Sequence, residues 1–131
     1  MKKDIEIPKV QDVYIAVVKE YNTEYKGYDW NAYVINDKTV DLDVVIIVSE
    51  GYSKTQKTAT FRKRIDKLPA KSYAKIEFIP EALFGLTNTF KLSFFVGSVM
   101  FDKTYTFNKN TINDSALRPI PLMGKKGVLV K

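Results

Sequence analysis

The stretch Phe90-Lys91-Leu92-Ser93-Phe94-Phe95-Val96-Gly97-Ser98-Val99-Met100-Phe101-Asp102-Lys103-Thr104-Tyr105-Thr106-Phe107 decides the fold. Apolar residues recur at alternate positions, Phe90, Leu92, Phe94 and Val96 on the first arm and Val99, Phe101, Tyr105 and Phe107 on the second. A period of two belongs to a strand with one buried face, not to a helix. Gly97-Ser98 between the arms puts Gly first in a two-residue loop, the type II′ preference of hairpins. If Val96 pairs with Val99, then Phe94 faces Phe101 and Leu92 faces Lys103. Lys103 would then share the apolar side. Either a bulge shifts the register there, or the lysine sits at an open rim and lays its stem along apolar surface.

The same period runs outward from this hairpin. Val13-Tyr14-Ile15-Ala16-Val17-Val18 is apolar on both faces, as a central strand would be. Trp30, Ala32 and Val34 alternate with Asn31, Tyr33 and Ile35. Leu42, Val44, Ile46 and Val48 define one face of a third strand, with Asp41 and Asp43 off that face. Residues 58–65 read as a weaker strand, with Ala59, Phe61 and Ile65 on one side and Arg62 and Arg64 on the other. Ala74, Ile76 and Phe78 make a fifth, with Lys75 and Glu77 outward. Asn36-Asp37-Lys38 and Glu50-Gly51-Tyr52-Ser53 are turn clusters. Pro80-Glu81-Ala82-Leu83-Phe84-Gly85 is the one helical candidate, with Pro at the start and Gly at the end.

About seven strands with no strand–helix alternation predict an all-β, antiparallel two-sheet sandwich, with one short helical turn near 80–86. The expected type is immunoglobulin- or fibronectin-like, without the disulfide and with Trp30 in the central core position. The sandwich is expected over residues 1–108. Residues 109–131 read as an extended, basic C-terminal segment that packs on the body or on another chain. Pro119 and Pro121 hold its middle extended, and Val128-Leu129-Val130 offers a last short strand.

The chain of 131 residues is one domain in size and holds no cysteine and no histidine. That excludes disulfide scaffolds, thiolate nucleophiles, Cys/His zinc sites and every triad with an imidazole base. The net charge is +6 but uneven: residues 54–75 hold eight basic side chains against Asp66 alone. Such a stretch reads as a lysine-rich solvated strand pair or as the footprint of an anionic partner. No apolar run approaches the roughly 20 residues of a membrane helix, and the opening Met1–Pro8 lacks an apolar leader segment. The expectation is a cytoplasmic protein with no membrane contact.

No histidine is available as a general base, so catalysis would fall to carboxylates, Lys or Tyr. Asp41 and Asp43, two apart on a strand, would share a face and could hold a hard cation or work as a pair; the alternative is a solvated strand start. Neither phosphate-loop nor dinucleotide glycine spacing is present. The expectation is a non-enzyme with no catalytic residue, no metal and no cofactor.

Six of the eight tyrosines lie in the first 52 residues, and all eight phenylalanines follow residue 60. Tyr21, Tyr25 and Tyr28 fall in the expected loop between the first two strands. Tyrosine gives large contact area at low entropy cost, so these residues, with Arg118 of the tail, are the candidate partner-binding set. The alternative is that the rings cover the end of the core. Lys57, Arg62, Arg64 and Lys67 form the candidate polyanion-binding set, for which phosphate contacts supply the attraction. Phe61 alternates with the arginines and should point inward, and no recognition helix accompanies them. The expected partner is an unknown protein or a second copy of the chain, with nucleic acid as the alternative.

Ile5-Glu6-Ile7-Pro8 with Asp12-Val13-Tyr14, Tyr28-Asp29-Trp30-Asn31, Leu68-Pro69-Ala70-Lys71-Ser72 and Leu117-Arg118-Pro119-Ile120-Pro121 resemble a family of short uncharacterised bacterial proteins. The likeness runs over nearly the whole chain. Some members carry a transferred label of phenylalanyl-tRNA synthetase alpha subunit. That activity does not follow here. A synthetase catalytic domain is larger than this chain, and its ATP-binding motifs have no counterpart among Arg62, Arg64 and Arg118. The resemblance implies a constant fold and adds no site residue.

Overall fold

The computed structural model describes residues 8–131; residues 1–7, the stretch read above for a leader, lie outside the described part. Among the described residues nine strands form two antiparallel sheets. They are β1 (Val13–Asn22), β2 (Gly27–Asn36), β3 (Leu42–Tyr52), β4 (Phe61–Leu68), β5 (Ser72–Phe78), β6 (Thr87–Val96), β7 (Val99–Phe107), β8 (Arg118–Pro119) and β9 (Lys126–Val130). The first sheet has the order β5-β2-β1-β9-β8 and the second β4-β3-β6-β7. The helical candidate is a single 3-10 turn, Glu81–Leu83, entered from Pro80. A second such turn, Asp114–Ala116, precedes β8.

The β6–β7 hairpin keeps the register that its alternation implies, with Val96 opposite Val99, Phe94 opposite Phe101 and Leu92 opposite Lys103. Gly97 takes φ +60 and Ser98 does not take a positive φ, the type II′ pattern. Trp30, Ala32, Val34, Ile15 and Val17 from the first sheet meet Val45, Ile47, Phe90, Leu92, Phe94 and Phe107 from the second in one core. The buried Tyr105 hydroxyl donates to the Val13 carbonyl oxygen at 2.6 Å and ties β7 to β1 across the layers.

Two strands depart from simple alternation. Val44 has φ +49, and β3 shifts register against β6 between Asp43 and Ile46. The bulge adds one residue, so Leu42, Val45 and Ile47 enter the core. Val44, Ile46 and Val48 are left half-buried outside it, which corrects the face read from period two. β5 slips against β2 between Ala32 and Tyr33, leaving Ile76 unpaired. Past that slip Phe78 is exposed, and Glu77 is half-buried rather than outward.

The C-terminal segment completes the first sheet. β9 pairs with β1 from Ile15 opposite Val130 to Val18 opposite Gly127. A Cβ on Gly127 would lie 2.6 Å from the Val17 carbonyl oxygen, so this approach admits only glycine. Between β8 and β9 the chain folds over the outside of the sheet, where Ile120 and Met123 bury Ala16, Val18 and Ile35 in a second, smaller core. β1 is thus covered on both faces.

Candidate functional site

The β1–β2 hairpin carries the tyrosines. Its strands stay paired to Tyr21 opposite Tyr28 and Asn22 opposite Gly27, past the end of the core. The Asn22 side chain accepts from the Glu24 amide at 3.0 Å, and Lys26 closes the loop at φ +55. Tyr21, Tyr25 and Tyr28 are 54%, 58% and 59% exposed. They do not form one patch. Tyr21 and Tyr28 meet edge to face at 5.3 Å, on the side of the hairpin that continues the core-facing row through Trp30. Tyr25 folds over Gly27 instead, and its hydroxyl donates to the Asp29 carboxylate. Trp30 is buried and packs edge to face on Phe84 at 5.3 Å. The Lys19 ammonium lies 4.9 Å from the Tyr28 ring centre and 5.6 Å from that of Trp30, and forms a 2.7 Å ion pair with Asp114. This pair joins the base of the hairpin to the segment that leads to Arg118. Arg118 itself turns back on its own backbone, donating to the Leu117 carbonyl at 2.7 Å and the Ser115 carbonyl at 3.4 Å.

The basic set is divided as well. Arg62 and Arg64 lie opposite Val48 and Ile46 of β3, on the outer face of the second sheet. Lys91 of β6 lies on the other side of Val48, so three cations flank a short apolar strip. Lys57 pairs with Glu50 at 3.5 Å, and Arg64 with Asp66 at 3.0 Å. Lys67 stands 3.9 Å from Asp41 and 3.8 Å from Asp43. Asp41 also accepts from the Ala70 amide at 2.9 Å, holding the turn where the chain crosses from β4 to β5. Asp41 and Asp43 therefore serve a turn and a lysine. No group of three or more acidic side chains placed to hold a metal exists among the described residues. Lys103 is half-buried, with its ammonium 5.0 Å above the Tyr105 ring, the rim position that its register suggests.

Two carboxylates that pattern reading did not single out, Glu20 and Glu77, are half-buried. Glu20 accepts from Asn31 at 3.0 Å, from the Tyr33 hydroxyl at 2.6 Å and from Lys125 of the tail. Burial alone would raise its carboxyl, but these hydrogen bonds and the lysine charge hold it below the usual glutamate value. The Tyr33 hydroxyl is pushed up by burial and by its bond to Glu20. Glu77 is different: burial pushes it up, and the hydrogen bond from the Ser49 hydroxyl offsets this only in part. The sequence signal for Glu77 was a charged residue in an apolar run, Ile76-Glu77-Phe78-Ile79, and the slip in β5 hid which way it turns.

The chain matches no family model, no curated protein and no solved structure. No helix among the described residues is long and apolar enough to cross a membrane.

Proposed function

We propose that the protein is a non-catalytic, cytoplasmic interaction module of immunoglobulin-like type that contacts a protein partner or a second copy through the β1–β2 hairpin. The observation that carries this reading is the exposure of Tyr21 and Tyr28 at 54% and 59% on a paired, rigid hairpin beyond the core. A mobile loop would lose entropy on binding, whereas strand pairing already fixes the backbone that carries these rings. Tyr25 supports the hairpin tip through Asp29, and Arg118 lies on the segment that Lys19 anchors to its base. The resemblance to short bacterial proteins adds no residue to this surface.

The test compares wild type, the Tyr21→Ala/Tyr28→Ala pair and Tyr25→Ala by pull-down and light scattering, with thermal melts alongside. The paired variant is expected to lose the partner or the dimer mass at unchanged melting temperature. A paired variant that keeps every partner and the same mass overturns the reading.

A second reading, polyanion binding, has one specific support: Arg62, Arg64 and Lys91 flank the same strip of β3. Lys57, Arg64 and Lys67 spend charge on acidic neighbours, which weakens it. It predicts a steep loss of single-stranded RNA or DNA binding with salt, and no binding at low salt disposes of it.

A further inference from the structure

Glu77 faces a small cavity between the sheets. The cavity measures about 80 Å³. Its walls include Ser49, Gly51, Glu77, Ile79, Asn88 and Phe90, and exposed Ala59 forms part of its rim. That volume takes several non-hydrogen atoms.

The polar groups lining it are of one kind. The Asn88 amide nitrogen donates to the Leu83 carbonyl at 3.0 Å and the Leu86 carbonyl at 3.2 Å, which fixes the orientation of the amide. Its Oδ1 lies 2.9 Å from the point a Cβ on Gly51 would occupy and accepts no hydrogen bond among the described residues. The Thr58 hydroxyl is already engaged, accepting from the Gly51 amide at 2.8 Å and donating to the Ala59 carbonyl at 3.2 Å. The Ser49 hydroxyl donates a hydrogen bond to Glu77, which leaves its lone pairs free to accept. One Glu77 oxygen accepts that hydrogen bond and the other has no donor among the described residues. None of the ion pairs among those residues involves Glu77, and the second acid of the lining, Glu50, is paired with Lys57. The cavity thus offers acceptors from Glu77, Ser49 and Asn88, holds in Glu77 a carboxyl group with no ion-pair partner among the described residues, and has apolar walls in Ile79, Leu83 and Phe90. A primary ammonium brings three donors, a positive charge and an apolar stem, the complement on each count.

We propose that this cavity is a binding site for a primary ammonium group on a short alkyl stem, with Glu77 as counter-ion and Ser49 and Asn88 as further acceptors. The lining leaves no room for a side chain at Gly51: a Cβ there would also stand 3.3 Å from Thr58 and 3.4 Å from Leu86, so any substitution shifts the wall that holds Asn88. The ammonium can belong to a free amine or to a lysine of a partner chain, and the chemistry at Glu77 is shared.

The experiment titrates the ¹⁵N-labelled full chain with n-propylammonium chloride, with n-propanol and with acetyl-Gly-Lys-Gly-amide, following the Gly51, Glu77 and Asn88 amides. Saturable shifts with n-propylammonium are expected, and binding at least tenfold weaker with n-propanol. Glu77→Gln should weaken n-propylammonium binding tenfold or more, and Gly51→Ala should abolish it. Equal shifts from n-propanol and n-propylammonium on the unaltered protein overturn the proposal without any variant having to fold. So does full binding by Glu77→Gln, or saturable shifts from neither ammonium. Shifts from the peptide at the same amides assign the site to a partner lysine, and shifts from n-propylammonium alone to a small amine. The Tyr21→Ala/Tyr28→Ala variant should bind n-propylammonium unchanged, so failure of the hairpin reading leaves this one standing.

Discussion

The outer faces of the two sheets start from similar strands and end in opposite states. β1 runs apolar from Val13 to Val18 and β3 from Val44 to Val48, so both present apolar side chains on two sides. On the first sheet, Ile120 and Met123 close over Ala16, Val18 and Ile35. On the second, Ile46 and Val48 stay half-buried with Arg64, Arg62 and Lys91 as their strand neighbours. Arginine and lysine stems can lie along apolar neighbours while their charged ends stay in water. A strand apolar on both faces thus has two kinds of cover, a segment of chain or the methylenes of flanking cations. Arg62 and Arg64 have a packing role on the open face whether or not an anion ever binds there.

The harshest way to break this comparison is to remove the segment that covers the first sheet. Deleting residues 118–131 takes away β8 and β9 and uncovers Ala16, Val18 and Ile35. A domain of this class is stable by about 5–15 kcal/mol, and each large apolar side chain returned to water costs about 1.5–3 kcal/mol. The shortened chain is expected to lose its cooperative thermal transition by circular dichroism. A transition within about 10 °C of the full chain, a shift of a few kcal/mol at most, would mean that the covered face does not need its cover.

A milder version sets one residue against another. Ile120 is 4% exposed on the covered face, so Ile120→Ala should cost about 2–4 kcal/mol in urea unfolding. Val48→Ala on the open face should cost under about 1 kcal/mol, since less area returns to water. Equal losses would place the two faces in the same class. Between these lies Tyr105→Phe, which removes the buried bond to Val13 that joins the sheets. Its expected cost is about 1–2 kcal/mol in the same assay, and no loss would show the layers held by packing alone.

What was legible in the sequence follows from what is local. The β6–β7 hairpin could be read residue by residue, because strict alternation and a Gly-first turn lie within 18 neighbouring positions. The apolar run of β1 announced a strand covered on both faces, and Val128-Leu129-Val130 its last strand, although the covering role of Ile120 and Met123 is a tertiary fact. β3 and β5 misled for one shared reason. In Val44-Val45-Ile46-Ile47-Val48 every residue is apolar, so either phase looks correct, and the bulge at Val44 alone selects one. In β5 the slip beside Ile76 exchanges the roles of Glu77 and Phe78. Since the bulge decides where Glu77 points, the acid between the sheets could not be found from spacing. The tyrosines were visible as a cluster in sequence, but the division of Tyr25 from Tyr21 and Tyr28 depends on a turn that folds one ring back.

The smallest expected effect is also the one that separates two carboxylates by sign. Glu20, on the covered outer face, is held below its ordinary value by Lys125, Tyr33 and Asn31. Its contribution is present at pH above the ordinary glutamate range and is lost as pH falls through its lowered value. Because Glu20 keeps contact with solvent, screening makes this loss shallow. Glu77, between the sheets, is raised by burial, with Ser49 as its hydrogen-bond partner and Glu50, itself paired with Lys57, lining the same cavity. The native state then binds its proton more tightly than the unfolded chain does, so the stability it contributes is full below the ordinary value of 4.5 and declines as pH rises through the raised value. Urea midpoints from pH 3 to pH 8 should show Glu77→Gln removing a decline on the alkaline side of 4.5 and Glu20→Gln removing a rise on its acidic side. Parallel profiles for the two variants would show that the space between the sheets is as well solvated as the face beneath the tail.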